Sequence, residues 1–310
     1  MNRDIALRMP IRKAASYILF NLKQGIGMSR RAIEKSSKKP SPYIHSFSTF
    51  TRYSSIIKNF ADDMKKQDIK RLVDVKYEHV KAWLEEKASR CTEKTLKVNM
   101  CALEKLFDAV NRKDISDSIR RDFVDIYSKA RASGRAEPFV NPQRVIDAID
   151  RFRDKEDVYQ KKYIYERAKI WAQLQYTTGA RVGDIKKIKV SGDKVIIERS
   201  KGGKTRVLDY SDAPHRLEAV KQLLKDEYFV RAFVELEDKD FRRLYETILR
   251  ESARSVGEKW SGSHSFRVNY AIERYNELRS KGLSEQAADK VLTRELGHER
   301  VSMSQYYRKA

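Results

Sequence analysis

The sequence predicts a mainly α-helical chain with one small β-sheet in its second half, folded as two domains. Three observations predict this. Apolar residues recur at i, i+3, i+4 and i+7 through most of the chain, the spacing that lines one face of a helix. The stretch 187–209 departs from that spacing toward strand, with short β-type runs on either side of Gly202-Gly203. The length of 310 residues suits two ordinary domains, and 40 % hydrophobic residues are enough for two cores.

Taken in order, Ile11 to Leu22 reads as an amphipathic helix, and Ser29 to Pro42 (SRRAIEKSSKKPSP) as a flexible or ligand-draped basic segment. Ser46 to Asp63 places Tyr53, Ile56, Ile57 and Phe60 on one helical face, with Ser and Thr available as N-caps. Helices follow at Tyr77 to Ala88, at Thr92 to Val110 with Leu96, Met100, Leu103 and Leu106 on one side, and at Asp114 to Ala130. Ser133-Gly134-Arg135-Ala136-Glu137-Pro138 then breaks the pattern and marks a domain boundary near 132–142. Beyond it, helices are expected at 141–153, 159–178, 214–228, 238–254, 265–280 and 284–295. Val195-Ile196-Ile197 and Arg206-Val207-Leu208 form a hairpin around the glycine pair. The resulting division is a basic N-terminal segment over 1–45, a helical domain over 46–132, a linker over 133–142 and a second domain over 143–310.

Charge narrows the function. Lys and Arg number 66 against 44 Asp and Glu, a net charge of +22. Residues 1–60 alone carry 12 basic and 2 acidic side chains. Such an excess calls for a polyanionic partner, either nucleic acid or an anionic membrane surface. No apolar run approaches the length of a membrane-spanning helix, and Ala14 to Leu22 is too short and lacks the cleavage site of a secretory signal. Two cysteines, Cys91 and Cys101, build neither a disulfide framework nor a zinc site, which fits a reducing, cytoplasmic setting. His-Glu-x-x-His, Walker and dinucleotide-binding motifs are absent, so neither cofactor nor metal is expected.

Four local features remain. Thr177-Thr178-Gly179-Ala180-Arg181-Val182-Gly183-Asp184 follows a long helix and presents Arg181 from a turn, where a guanidinium can clamp a phosphate. Ser200-Lys201-Gly202-Gly203-Lys204 places Lys201 at a hairpin tip. Ser263-His264-Ser265-Phe266-Arg267 opens a helix with His264 and Arg267 on one face. Leu296-Gly297-His298 is followed nine residues later by Tyr307. Each feature has an ordinary counterpart: a glycine C-cap beside a surface arginine, a solvated turn lysine, a polar helix start, a packing tyrosine. Their order and spacing together do not.

An arginine, a hairpin lysine, His-x-x-Arg, a further His and a tyrosine nine residues on, in that order, resemble the tyrosine recombinase (phage integrase) family. The resemblance covers about 141–310 strongly, and 46–130 resemble that family's helical core-binding (SAM-like) domain. It implies a C-shaped clamp on DNA, made by that domain and a mixed α/β catalytic domain. It also implies a reaction in which Tyr307 attacks a phosphodiester, leaving a 3′-phosphotyrosine and a free 5′-hydroxyl. Arg181 and Arg267 would neutralise the non-bridging oxygens, His264 would act as base, Lys201 as acid on the leaving oxygen, His298 as a phosphate donor and Asp184 as a support. A phenol titrates near 10 in water, so a tyrosine nucleophile needs such a base. Neither ATP nor metal is required. The implied partners are double-stranded DNA, four protomers on two sites built from a free monomer, and accessory DNA-bending proteins; the expected place is the nucleoid, and the expected role is moving or resolving a mobile element.

Two departures from the family pattern stand out. Only Arg308-Lys309-Ala310 follow Tyr307, so a long exchanged tail is not expected. The first 40 residues do not read as a three-stranded arm-binding domain. Tyr306 competes with Tyr307, and the spacing from His298 favours Tyr307. The alternatives are a type IB topoisomerase or telomere resolvase, which share the catalytic set, and a non-catalytic DNA-binding accessory protein, which explains the charge but not the motifs.

Overall fold

A computed structural model describes residues 1–134, 136–230 and 238–308. Within it the chain divides into two compact units, Met1–Gly134 and Arg135–Ala310. Among the described residues, no helix is long and apolar enough to cross a membrane.

The first unit is all helical: α1 (Arg3–Arg8), α2 (Ile11–Leu22), α3 (Arg30–Ser37), α4 (Phe47–Lys66), α5 (Tyr77–Arg90), α6 (Glu93–Ala109), α7 (Lys113–Arg121) and α8 (Phe123–Ser128). The apolar faces expected on α4 and α6 close on one core, where Ile57, Phe60, Met64, Leu96, Met100 and Leu103 are buried. Phe60 sits edge-on to Trp83 of α5 at 5.4 Å and to Phe107 at 6.1 Å. Burying side chains of this size contributes roughly 1.5–3 kcal/mol each. Ser46 caps α4 by accepting from the Thr49 amide at 3.1 Å.

Three stretches differ from the sequence reading. Arg30–Ser37, expected as flexible, is a helix capped by Ser29, with none of its residues buried. The basic N-terminal stretch is not separate from the core, because Ala6, Ile11, Ile18, Leu19, Leu22 and Ile44 belong to the same cluster. The single helix expected over 114–130 is two helices broken at Asp122, whose carboxylate accepts from the Tyr77 hydroxyl at 2.8 Å and from Arg121 at 2.8 Å. Those side-chain bonds draw Asp122 out of the helical register.

The second unit holds α9 (Pro142–Arg153), α10 (Tyr159–Thr178), the strands β1 (Ile188–Ser191), β2 (Lys194–Ile197) and β3 (Arg206–Asp209), then α11 (Pro214–Lys225), α12 (Glu227–Val230), α13 (Asp238–Ser255), α14 (His264–Ser280), α15 (Glu285–Leu296) and α16 (Val301–Arg308). The three strands form one antiparallel sheet in the order β1-β2-β3. The expected hairpin is present, with Val195 opposite Leu208 and Ile197 opposite Arg206. Strand β1 and helix α16 were not expected. The span 214–228 is two helices rather than one. Helix α10 runs through this core, burying Trp171 edge-on to Phe241 at 4.6 Å.

Two glycines end helices in the left-handed region and thereby place the site. Gly179 closes α10 at φ +59, and a Cβ there would lie 2.5 Å from the Tyr270 ring. Gly297 closes α15 at φ +63. At both positions only glycine combines the backbone angle with the close neighbour.

Candidate active site

Four elements of the second unit converge. The α10 cap turns the chain so that Arg181 follows it, extended, at the start of the short helical turn 182–187. Helix α14 opens with His264 and carries Arg267 one turn later. The α15 cap presents His298, and α16 carries Tyr307.

Arg267 is fully buried. Its Nη1 donates to the Gly179 carbonyl and its Nη2 to the Leu296 carbonyl at 2.5 Å. Helix C-termini are electronegative, so both ends attract a guanidinium. Nη2 also donates to His298 Nε2 at 3.1 Å. A guanidinium cannot accept a hydrogen bond, so Nε2 is the acceptor, and the ring proton of neutral His298 sits on Nδ1. That proton points to Ser304 Oγ at 3.3 Å, and Ser304 in turn lies 2.9 Å from Thr293 Oγ1.

Tyr307 stacks on His298, with centroids 5.1 Å apart and planes 20° off parallel. Its hydroxyl lies 2.7 Å from His264 Nε2. Helix α16 is held down beside it by Asp289, which accepts from Gln305 at 2.9 Å and from Arg308 at 2.8 Å. Tyr306 lies edge-on to Tyr307 at 5.8 Å. Arg181 donates to Ser200 Oγ at 3.2 Å, and Ser200 donates to the buried Asp184 carboxylate at 2.6 Å. Asp184 also lies 3.8 Å from Arg181 and 3.3 Å from Lys187.

The structure thus brings Arg181, Asp184, His264, Arg267, His298 and Tyr307 into one neighbourhood. Lys201 stands apart: it is exposed at the hairpin tip and reaches the group only through its electric field. Two residues were missed by the sequence reading. Ser200 bridges Arg181 to Asp184. Arg206 is buried beside Gly297, with Nε donating to the Glu295 carbonyl at 2.7 Å. A signal for Arg206 existed: alternation along β3 puts Arg206 and Leu208 inward and Val207 outward, the reverse of the usual polarity.

The electrostatics follow from burial among cations. Burial, reinforced by Arg267, Arg181 and Lys201, pushes His264 down to about 4. Burial, then Arg267, Arg181, Arg206 and His264, pushes His298 down to about 3. Both imidazoles are therefore neutral at physiological pH, and His264 can accept the tyrosine proton. Both also bind protons more weakly here than in the unfolded chain, where histidine titrates near 6.5. Acid then favours the unfolded state. Stability is intact above about pH 6.5 and declines as the pH falls from there toward 4 for His264 and 3 for His298. The melting temperature should fall over this window, and a His264→Gln/His298→Gln variant should show a shallower fall by calorimetry. An identical slope in both proteins would contradict these shifts. No group of His, Cys, Asp and Glu among the described residues is arranged to hold a metal ion.

Comparison with solved structures gives the fold its place. The XerH site-specific recombinase bound to palindromic difH substrate, in a post-cleavage complex, has a TM-score of 0.58 at 14 % identity, covering 96 % of this chain and 90 % of that one. A lambda integrase dimer bound to a COC' core site also has a TM-score of 0.58, at 19 % identity, covering 90 % of this chain and 75 % of that one. A lambda integrase tetramer bound to a Holliday junction matches with a TM-score of 0.53 at 19 % identity, again covering 90 % and 75 %. No protein-family profile and no curated protein sequence matches the chain. At these identities the shared property is the fold: this chain has the mainly helical fold, with its small sheet, of the tyrosine recombinases.

Proposed function

We propose that the chain is a site-specific tyrosine recombinase that cleaves and rejoins DNA through a 3′-phosphotyrosine. The observation that carries this is the Tyr307 hydroxyl, 2.7 Å from a neutral His264 and beside the Arg267–His298 pair, on a recombinase fold. In the forward step the Tyr307 oxygen attacks phosphorus and the bond to the 5′-oxygen breaks. The phenol proton passes to His264 Nε2, and the leaving oxygen takes a proton from Lys201 once the exposed hairpin tip closes on the DNA. Arg181 and Arg267 stabilise the charge gathering on the non-bridging oxygens. Asp184, through Ser200, holds Arg181 in place.

His298 has a conditional role. Its Nε2 accepts from Arg267, so it donates to a phosphate only after taking a proton. An incoming phosphodiester anion raises its affinity for that proton. The covalent linkage keeps the energy of the broken bond, so a second strand's 5′-hydroxyl reverses the step without ATP. The first unit is the core-binding domain in this reading, and its basic surface supplies phosphate contacts whose strength falls steeply with salt. Four protomers on two duplexes, and accessory bending proteins, complete the assembly, and the biological role is movement or resolution of a mobile element.

Plasmid relaxation separates this enzyme from a topoisomerase built on the same chemistry. A recombinase leaves an arbitrary supercoiled plasmid largely supercoiled while acting on plasmids that carry its site, found by selection from random duplexes. Rapid relaxation of any plasmid would replace the recombinase reading with a topoisomerase. Binding with no covalent capture on the selected site would reduce the chain to an accessory DNA-binding protein.

A further inference from the structure

Four of the buried arginines of the second unit fall into two kinds. Arg274 and Arg216 are neutralised by carboxylates: Arg274 by Asp212 at 2.9 Å and Glu295 at 3.0 Å, Arg216 by Glu277 at 2.5 Å. Arg206 and Arg267 form no ion pair with a described residue; each donates to two main-chain carbonyls, and Arg267 also to His298 Nε2. Arg206 Nε donates to Glu295 O at 2.7 Å and Nη2 to Thr178 O at 3.3 Å. Arg267 donates to the next carbonyl along each of the same helix ends, Gly179 O and Leu296 O. Two guanidiniums thus tie the end of α10 to the end of α15 at successive residues.

The placement of Arg206 is close-fitting. A Cβ at Gly297 would meet its Cγ and Cδ at 2.8 Å, so its stem lies against the residue that precedes His298. Its Nη1 is buried and unpartnered, as is Arg267 Nε. A guanidinium taken out of water without a carboxylate is costly, and an apolar side chain of similar length would fill the space without that cost. Burial lowers Arg206 to about 10, with Arg181 adding to the fall, so the group stays charged at neutral pH.

We propose that Arg206 is a positioning residue of the same centre: with Arg267 it fixes the separation of the Arg181 turn from His298, the span that a scissile phosphate must fit. This rests on the strand-transfer reading above. Nothing in the step requires Arg206 to touch the substrate; it acts through the two caps that present Arg181 and His298.

Arg206→Lys tests it, because lysine keeps the charge but its single nitrogen lacks the planar fork that reaches both carbonyls. The substrate is a nicked duplex carrying the selected site, and binding, melting and single-turnover formation of the Tyr307 adduct are measured on the full chain. The variant should melt within about 5 °C of wild type and bind with a Kd within about threefold. Its cleavage at saturating DNA should slow about 100-fold, the effect of a displacement near 1 Å at a reacting centre. Cleavage at the wild-type rate overturns the proposal, and so does loss of the fold, which would make Arg206 a purely structural tie. Failure of the wild-type chain itself to form an adduct would strike the underlying reading, and the inference would fall with it.

Discussion

Replacing Tyr307 with Phe should abolish covalent DNA capture and leave DNA binding within about twofold of wild type. The phenylalanine ring keeps the stack on His298, where the centroids lie 5.1 Å apart. What is lost is the oxygen 2.7 Å from His264 Nε2, and with it the only atom this account assigns to attack. The fall in adduct formation should be on the order of 10⁵-fold or more, as when a covalent nucleophile is deleted elsewhere. Stability should change little, since one partly exposed hydrogen bond contributes about 0.5–1.5 kcal/mol. Tyr306→Phe is the matched control and should retain capture. Denaturing gels of protein bound to radiolabelled duplex read both variants.

Replacing Arg267 with Ala should damage fold and chemistry together. The guanidinium is wholly buried and satisfies the Gly179 and Leu296 carbonyls. Leaving two buried acceptors without partners costs about 2–4 kcal/mol after allowing for the repulsion among the neighbouring cations that its removal relieves. Cleavage should fall on the order of 10³-fold, the usual effect of deleting a preorganised donor to a developing oxyanion. His298 should bind a proton more readily, because Arg267 is the strongest of the charges holding it down. Denaturant unfolding and adduct formation measure the two effects separately. A variant as stable as wild type that still cleaves at full rate would contradict the role given to this residue.

Much of the fold was legible because helices announce themselves by spacing. Ile57 and Phe60 in α4, and Leu96, Met100 and Leu103 in α6, occupy the buried face that their periodicity indicates. Helix α16 was missed because its run, Val301–Arg308, is short and buries only Ser304, so no apolar stripe marks it. The break at Asp122 depends on Tyr77, far away in sequence, which local patterning cannot see.

The site shows the same division. The i, i+3 relation of His264 and Arg267 is local, and so are the glycines that end α10 and α15. The meeting of His264 with Tyr307, and of Arg267 with His298, is tertiary, and the residue order suggested it only through the family resemblance. Arg206 escaped notice because an arginine in a β-run is expected to face water, whereas here the inward position is taken by the charge and the outward one by Val207. Ser200 escaped because a serine at a hairpin tip carries no signal of its own, and its link between Arg181 and Asp184 exists only in three dimensions.

Covalent joining of Tyr307 to DNA can be read by locating the adduct. The full chain is incubated with a nicked duplex that traps the cleaved state, denatured, digested, and searched by mass spectrometry for a phosphotyrosyl nucleotide. The modification should fall on the peptide containing Tyr307, with fragment ions that assign it to Tyr307 rather than Tyr306. An adduct on Tyr306, or none on a duplex the protein demonstrably binds, would contradict it.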